Sequence, residues 1–158
     1  MSDQIPYNPP APAEAPSAPP LTTLQKADLI HGISVFSELT VEELYRLAAA
    51  AKIVGFPAGT VIFRQNDAAI AFYIVLRGEV ELTRQGRDDR KVVGAERAVG
   101  IYPVLTQEPC PTRATALEDT VAIAIGAEDF FSLLSNNPEI VAGIFRHFVR
   151  KLNPESEK

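Results

Sequence analysis

The sequence predicts a mainly β protein with flanking helices, in which the strands form an antiparallel double-stranded β-helix, that is, a jelly-roll barrel. Between residues 52 and 125, short apolar runs rich in β-branched and aromatic residues alternate with turn residues. About seven or eight strands fit this stretch, and that number at that spacing is typical of a barrel or sandwich. Helical periodicity returns on both sides of the stretch, in 21–52 and 128–152.

The composition is that of one domain. With 158 residues, of which 46% are hydrophobic, the chain can bury one compact core but not two. A net charge of −5 argues against a nucleic-acid partner, because phosphate binding needs a concentrated excess of lysine and arginine. The single cysteine, Cys110, excludes an internal disulfide, and no apolar run is long enough for membrane insertion. We therefore expect a cytoplasmic protein.

The first twenty residues differ in composition from the rest of the chain. Seven of the thirteen prolines lie in 1–20, among alanine, serine and asparagine, which favours extended, solvated backbone. We expect a disordered or extended arm here, followed by a folded domain in 21–152 and a short tail in 153–158. The arm is either a solubilising leader or a segment that lies along a partner protein, with Ile5 and Tyr7 as its only anchors.

Two short helices are expected before the strands. Thr40 and Glu43 have the spacing of a capping box, in which the hydroxyl and the carboxylate each accept a hydrogen bond from a free backbone N–H. The preceding apolar residues indicate another helix that ends near Gly32. Both helices are predicted to cover one side of the strands.

Two further helices are predicted after the strands, over 128–134 and 138–152. Pro138 suits the first turn of the second helix, whose apolar row is wider than a lone surface helix requires. Two interpretations stay open for that row: packing against the barrel, or contact with another protein or with a twin helix in a homodimer. The residues assigned to this partner or dimer face are Ile140, Ile144, Phe145, Phe148 and Leu152.

Three strings in order carry a resemblance to a known family. Residues 57–63 (Pro-Ala-Gly-Thr-Val-Ile-Phe), 65–67 (Gln-Asn-Asp) and 71–80 (Ala-Phe-Tyr-Ile-Val-Leu-Arg-Gly-Glu-Val) resemble the first half of a cyclic nucleotide-binding domain. With the flanking segments the resemblance covers about residues 24–152. It implies a β-roll in which a short helix and a loop between two strands form a phosphate-binding cassette. Because the sequence stops at Lys158, we expect this member to lack the DNA-reading helices of catabolite-activator-like transcription factors.

The cassette falls between residues 99 and 115 and lacks the two charged residues typical of the family. The family presents Phe-Gly-Glu-Leu-Ala, whose Glu holds the ribose hydroxyl, and later Pro-Arg-Ser-Ala, whose Arg pairs with the cyclic phosphate. In a gapless alignment the Gly is Gly100, the Glu falls on Ile101, the Arg on Cys110 and the Ser on Pro111. Isoleucine accepts no hydrogen bond and cysteine gives no bidentate charged contact. The resemblance therefore implies that cyclic nucleotide binding has been lost.

One residue offers a replacement for the missing charge. If residues 111–117 form a strand, alternation puts Arg113 on the same face as Pro111, toward the pocket, where its guanidinium would bind the phosphate. In the alternative interpretation Arg113 lies at the surface and Thr112 only supports the strand. If the pocket persists, the residues expected to give it an apolar floor are Ile101, Tyr102, Pro103, Val104 and Cys110.

No pattern of residues indicates catalysis or a metal cofactor. His31 and His147 are too few for a metal-ligand set. Cys110 has no adjacent lysine or histidine to lower its pKa, so it is interpreted as a small apolar filler rather than a reactive thiol. The sequence contains neither a nucleophile elbow nor a glycine-rich phosphate loop with a lysine. We do not expect an enzyme.

Two functional hypotheses remain. The first is a non-enzymatic regulatory or structural protein-interaction module without a cofactor, which binds another protein through the proline-rich arm or a second copy through the last helix. The second is a sensing module with an atypical pocket, in which Arg113 or the backbone amides near Gly100 receive a cyclic nucleotide or another small ligand. In that case the last helix transmits the signal.

Overall fold

The computed structural model describes residues 21–153, so the expected N-terminal arm and nearly all of the expected tail lie outside the described residues. The strands number eight and the α-helices five within that range, which confirms the mainly β class with flanking helices. In chain order the elements are α1 (Thr23–His31), a 3₁₀ helix (Ser34–Phe36), α2 (Val41–Ala50), β1 (Lys52–Phe56), β2 (Val61–Phe63), β3 (Ala71–Arg77), β4 (Val80–Thr83), β5 (Arg90–Val93), β6 (Ala98–Val99), α3 (Ile101–Thr106), β7 (Arg113–Ala116), β8 (Thr120–Gly126), α4 (Ala127–Asn136) and α5 (Pro138–Leu152).

The strands form two antiparallel four-stranded sheets, as expected for a jelly roll. One sheet has the order β1-β8-β3-β6 and the other β2-β7-β4-β5, so consecutive strands often lie in different sheets. The chain thus passes back and forth between the sheets, which closes them over a common interior. The helices cover the outer face of the β1-β8-β3-β6 sheet, whose central strands pack against helical residues.

The two central strands of that sheet are apolar on both faces. Phe72 and Ile74 of β3 point toward the helices, whereas Tyr73 and Val75 point between the sheets. The apolar residues therefore divide into two clusters. We call the first the helical core; its buried members are Ala27, Ile30, Ile33, Val35, Phe36, Leu39, Leu44, Leu47, Ala48, Ala51, Phe72, Ile74, Ile101, Val104, Ile123, Ile125, Phe130, Ile140 and Ile144. We call the second the barrel interior; its buried members are Val54, Phe56, Ile62, Phe63, Tyr73, Val75, Val80, Val93, Val99, Cys110, Ala114, Ala116 and Ala122.

Three aromatic rings fix the helices to the sheet. The ring of Phe72 on β3 lies 5.8 Å from that of Phe36 in the 3₁₀ helix and 5.3 Å from that of Phe130 on α4. The latter pair meets edge to face, the arrangement that the charge distribution of aromatic rings favours. All three side chains are fully buried. Phe72 therefore contacts helices from both the N-terminal and the C-terminal part of the domain.

Capping boxes start both N-terminal helices. The predicted one is confirmed: Glu43 N–H donates to Thr40 Oγ1 and Thr40 N–H donates to Glu43 Oε1. A second, which the sequence analysis did not identify, joins Thr22 and Gln25 at the start of α1. Each box satisfies backbone donors that a helix start leaves free.

Helix α5 is attached to the N-terminal segment along its whole length. Gly143 allows the helix to approach Leu39 so closely that an added Cβ would overlap that side chain. Arg46 of α2 pairs with Glu139 at 3.1 Å near one end, and Arg150 pairs with Glu38 near the other. No helix within residues 21–153 is long and apolar enough to span a bilayer.

This packing corrects part of the predicted partner face. Ile140 and Ile144 are buried in the helical core, because the row they form faces the 3₁₀ helix and α4; they are not available to a partner. Phe148 is half-buried against the same core. Phe145 and Leu152 are 67% and 79% exposed, so these two side chains do remain on an open face.

Gly78 provides a test of the sheet connection between β3 and β4. Its φ of +100° is strained for any L-residue, and an added Cβ would lie 2.5 Å from Thr120 Oγ1 and 2.8 Å from the carbonyl oxygen of Asp119. Gly59 has a similar φ of +88° but no atom within 4 Å of an added Cβ. We expect Gly59→Ala to lower the free energy of unfolding by about 1–2 kcal/mol through backbone strain alone. Gly78→Ala should cost at least about 2 kcal/mol more, from the added overlap.

Urea denaturation followed by circular dichroism measures both losses. Equal destabilisation by the two substitutions would contradict the close packing of Gly78 against Thr120.

Candidate functional site

The cassette stretch folds as the resemblance implies, with α3 and a loop between β6 and β7. Gly100 begins α3 with a left-handed φ of +82°, which glycine adopts without strain. An added Cβ at this position would lie 3.3 Å from Cε2 of Phe63 and 3.4 Å from the carbonyl oxygen of Ala71. Glycine is therefore required here both by the turn and by the close approach of the Phe63 ring.

The second half of the cassette is attached to the turn after β2. Cys110 N–H donates to the carbonyl oxygen of Asp67 at 2.8 Å, and Asn66 N–H donates to the carbonyl oxygen of Cys110 at 2.7 Å. Asp67 in turn accepts a hydrogen bond from Arg64 N–H at 3.2 Å. Both backbone groups at position 110 are thus already bonded within the protein.

Aromatic and aliphatic side chains line the barrel interior. Phe56 and Tyr73 meet edge to face with ring centroids 5.5 Å apart, and Phe63 lies over Gly100. Among the described residues the only buried charged side chain is that of Glu43, which lies on α2 and not in the barrel. Such an interior offers no counter-ion to a phosphate.

The structure separates the residues that were expected to form one apolar floor. Cys110 lies in the barrel interior, but Ile101 and Val104 face the opposite way and belong to the helical core. Pro103 is also buried, whereas Tyr102 is half-exposed. The expectation of a shared floor is therefore wrong, because α3 turns its apolar face toward the helices rather than toward the barrel.

Arg113 does not replace the missing guanidinium. Along β7, Ala114 and Ala116 are buried in the barrel interior, so alternation directs Arg113 and Thr115 to the outer face. Pro111 is exposed as well, and Thr112 is half-buried. Arg113 and Pro111 do lie on one side, as predicted, but that side faces solvent. The alternative interpretation of Arg113 as a surface residue is correct.

Cys110 lies in surroundings that keep its thiol protonated. Burial raises the pKa of the Cys110 thiol above its ordinary value of 9.0, and the negative charge of Asp67 raises this pKa further. The interpretation of Cys110 as an apolar filler fits these surroundings. No group of three or more histidine, cysteine or acidic residues could hold a metal ion within 21–153.

Sequence reasoning did not identify Phe63 as a site residue. Ile62 and Phe63 are consecutive, and yet both are buried in the barrel interior. In a regular strand, consecutive side chains point to opposite faces of the sheet. The pairing of β2 with β7 shifts between Val61 and Phe63, and such an irregularity turns successive side chains to one face. No turn residue or glycine marks this shift in the sequence.

The comparison with known proteins agrees with this architecture. The profile of the family described as "Cyclic nucleotide-binding domain" matches residues 53–137, from β1 to the end of α4.

The chain belongs to the cyclic nucleotide-binding domain family.

Two curated relatives of this cyclic nucleotide-binding domain are bacterial regulators. The CRP-like cAMP-activated global transcriptional regulator of Mycobacterium tuberculosis is 21% identical over 129 residues, which cover 79% of this chain and 58% of the regulator. The Cyclic AMP receptor protein of Thermus thermophilus is 30% identical over 101 residues, which cover 61% of this chain and 47% of the receptor. The chain thus spans about half the length of these relatives.

A solved structure gives the same result for the fold. The N-terminal domain of a transcriptional regulator from Streptomyces coelicolor A3(2) superposes with a TM-score of 0.71 and 26% identity. The superposition covers 81% of this chain and 94% of that one. The described domain therefore corresponds to nearly the whole of a separate domain in a regulator.

The protonated state of Cys110 leads to a pH prediction. A pKa that is higher in the folded than in the unfolded chain stabilises the protein below the unfolded value, and this contribution is lost as the pH rises through the folded pKa. We expect the free energy of unfolding of the wild type to fall relative to that of Cys110→Ala as the pH rises above about 8.5, the ordinary pKa of an unfolded cysteine, measured by urea denaturation. A difference that stays constant or grows with pH would contradict the assigned surroundings.

Proposed function

We propose that this chain is a non-enzymatic regulatory domain that has lost cyclic nucleotide binding and acts through contacts with protein. The observation that supports the loss most directly is the apolar lining of the barrel interior, since the only buried charged side chain among the described residues is that of Glu43 on α2. The two positions that carry the family's acid and base are Ile101 and Cys110, and both are buried.

Energetic considerations support this proposal. A cyclic nucleotide carries a phosphate monoanion, and a hydrogen bond from a charged group is worth about 1.5–3 kcal/mol. A nucleotide that displaced the buried ring of Phe63 from Gly100 would also lose the burial of that ring, which is worth about 1.5–3 kcal/mol. Both effects disfavour binding, and among the described residues no cationic side chain is buried to compensate for them.

The alternative of an altered cyclic nucleotide sensor has less support. Arg113, its proposed phosphate ligand, lies on the outer face of β7. The backbone N–H of Cys110 already donates to Asp67, and Pro111 has none to donate. The remaining candidate donors lie near Gly100, and the ring of Phe63 lies close against that residue.

The exposed face of α5 is the surface best suited to protein contact. Four apolar side chains follow one another on it at helical spacing, and each is more than one third exposed. A continuous apolar row on the solvent-facing side of a helix is typical of an interaction site. The row consists of Val141, Phe145, Val149 and Leu152.

We assign this row to a second copy of the chain. The row runs along most of a 15-residue helix, so two such helices related by a two-fold axis would cover each other's apolar side chains. Ion pairs near both ends of α5 hold the helix to its own domain, which keeps the row rigid and outward. We therefore propose a homodimer through the last helix, without Ile140 and Ile144 in the interface.

Titration calorimetry tests the loss of nucleotide binding. We expect no saturable heat when cyclic AMP, cyclic GMP or a cyclic dinucleotide is added to the wild type, because the ring of Phe63 lies against Gly100 and no cationic side chain is buried among the described residues. A matched variant, Phe63→Ala with Cys110→Arg, removes that ring and adds a cation, and if it folds we expect it to bind cyclic AMP weakly.

Saturable binding of any cyclic nucleotide by the wild type would refute the proposal. Circular dichroism and thermal melting establish first that the double variant is folded.

Multi-angle light scattering tests the dimer. We expect the wild type to elute with about twice its 17.2 kDa mass. Phe145→Glu with Leu152→Glu should yield a monomer with an unchanged far-ultraviolet spectrum, because the substitutions place charges in the middle of the apolar row. Ile70→Glu is the matched control, since Ile70 is also 60% exposed but lies just before β3. A wild type that stays monomeric at high concentration would contradict the assignment.

A further inference from the structure

A cavity lies outside the barrel interior, where the 3₁₀ helix meets the edge strand β5, β6 and the first turn of α3. Its volume is about 330 Å³, which falls in the range of about 300–1,000 Å³ usual for small-molecule sites. Neither Phe63 nor Cys110 is among the described residues that line it. The cavity therefore lies outside the barrel interior, although it shares Ile101 and Tyr102 with the cassette.

The floor of this cavity is apolar and rigid. Ile33, Val35, Val93 and Ile101 line it, and each is at least nine-tenths buried. Tyr102 adds a half-exposed aromatic wall, and its ring lies 6.3 Å from that of Phe148 on α5. An aliphatic or aromatic group would find complementary contacts here.

The rim of the cavity carries a surplus of one positive charge. Lys91 and Arg97 are exposed beside it and form no ion pair with any residue in 21–153, while Glu96 supplies one negative charge. This surplus favours an anion over a cation.

The backbone of this rim is held in place. Glu96 has a left-handed φ of +67°, a conformation that costs free energy in a non-glycine residue. Its N–H donates to the carbonyl oxygen of Val75 at 2.7 Å, and Val75 N–H donates to the carbonyl oxygen of Arg97 at 2.9 Å. Arg97 therefore extends from a backbone that is bonded to β3, and Lys91 extends from β5, which pairs with β4, so little backbone has to be ordered when a ligand binds.

We propose that this cavity binds a small amphipathic carboxylate, with its apolar body on the floor and its carboxylate between Lys91 and Arg97. The site does not depend on whether cyclic nucleotide binding is lost. Through the contact of Tyr102 with Phe148, a bound ligand would touch a residue that packs directly on α5.

Nuclear magnetic resonance titration of the ¹⁵N-labelled chain tests the site, with octanoate as the probe. We expect saturable shifts of the backbone amides of Ser34, Ala98 and Ile101. Octylamine has the same chain length and the opposite charge, and we expect it to produce no saturable shift there. Saturable shifts with octylamine as large as those with octanoate would show that the rim does not select an anion and would overturn the proposal.

Charge-removing variants locate the carboxylate. Lys91→Gln with Arg97→Gln should raise the Kd for octanoate about tenfold, as expected for the loss of a charge-assisted hydrogen bond. Arg113→Gln is the control, because Arg113 is equally exposed but does not line the cavity. The proposal fails if octanoate produces no saturable shift at millimolar concentration, or if the double variant binds as tightly as the control. All three side chains are exposed, so the variants keep the fold, which the dispersion of the spectrum verifies.

Discussion

The pairing of β3 with β8 is the constraint on which the rest of the structure depends. Both strands are buried on both faces, so each contributes alternate side chains to the helical core and to the barrel interior. Their register places Phe72 opposite Ile125 and Tyr73 opposite Ala124, and a slip of one residue would send the helix-facing rings into the barrel. The position of the helices and the contents of the barrel are therefore fixed by the same ladder of hydrogen bonds.

The cassette of this cyclic nucleotide-binding domain now serves packing. Gly100 accommodates the ring of Phe63, Ile101 extends the helical core, and Cys110 attaches the loop to the turn at Asn66 and Asp67. All three contacts are apolar or involve only the backbone. They hold the stretch in its shape without a contribution from a ligand.

The parts of the fold that follow local rules could be predicted from the sequence. The capping box at Thr40 and the proline at the start of α5 depend only on neighbouring residues, and both lie where they were expected. The spacing of Thr22 and Gln25 carries the same local signal, so the start of α1 could also have been predicted. Family resemblance supplied the β-roll and the place of the cassette within it, which local patterns do not encode.

The orientation of the site residues could not be predicted, for three physical reasons. The alternation of side chains along a strand places Arg113 and Pro111 on the same side of the strand but does not determine which side faces inward. The rotation of α3 about its axis, which turns Ile101 toward the helices, is set by tertiary packing rather than by its six residues. The inward position of Phe63 depends on a local shift in strand pairing, which leaves no mark in composition.

The two-sided sheet also has a consequence for the history of such domains. Because neighbouring positions of β3 contact different clusters, substitutions at one set of positions leave the contacts of the other set intact. The residues that line the barrel can therefore change one at a time in evolution while the helices stay packed on the sheet. Related domains can thus differ in what their barrels bind and still share one fold, because β3 presents alternate residues to the barrel and to the helices.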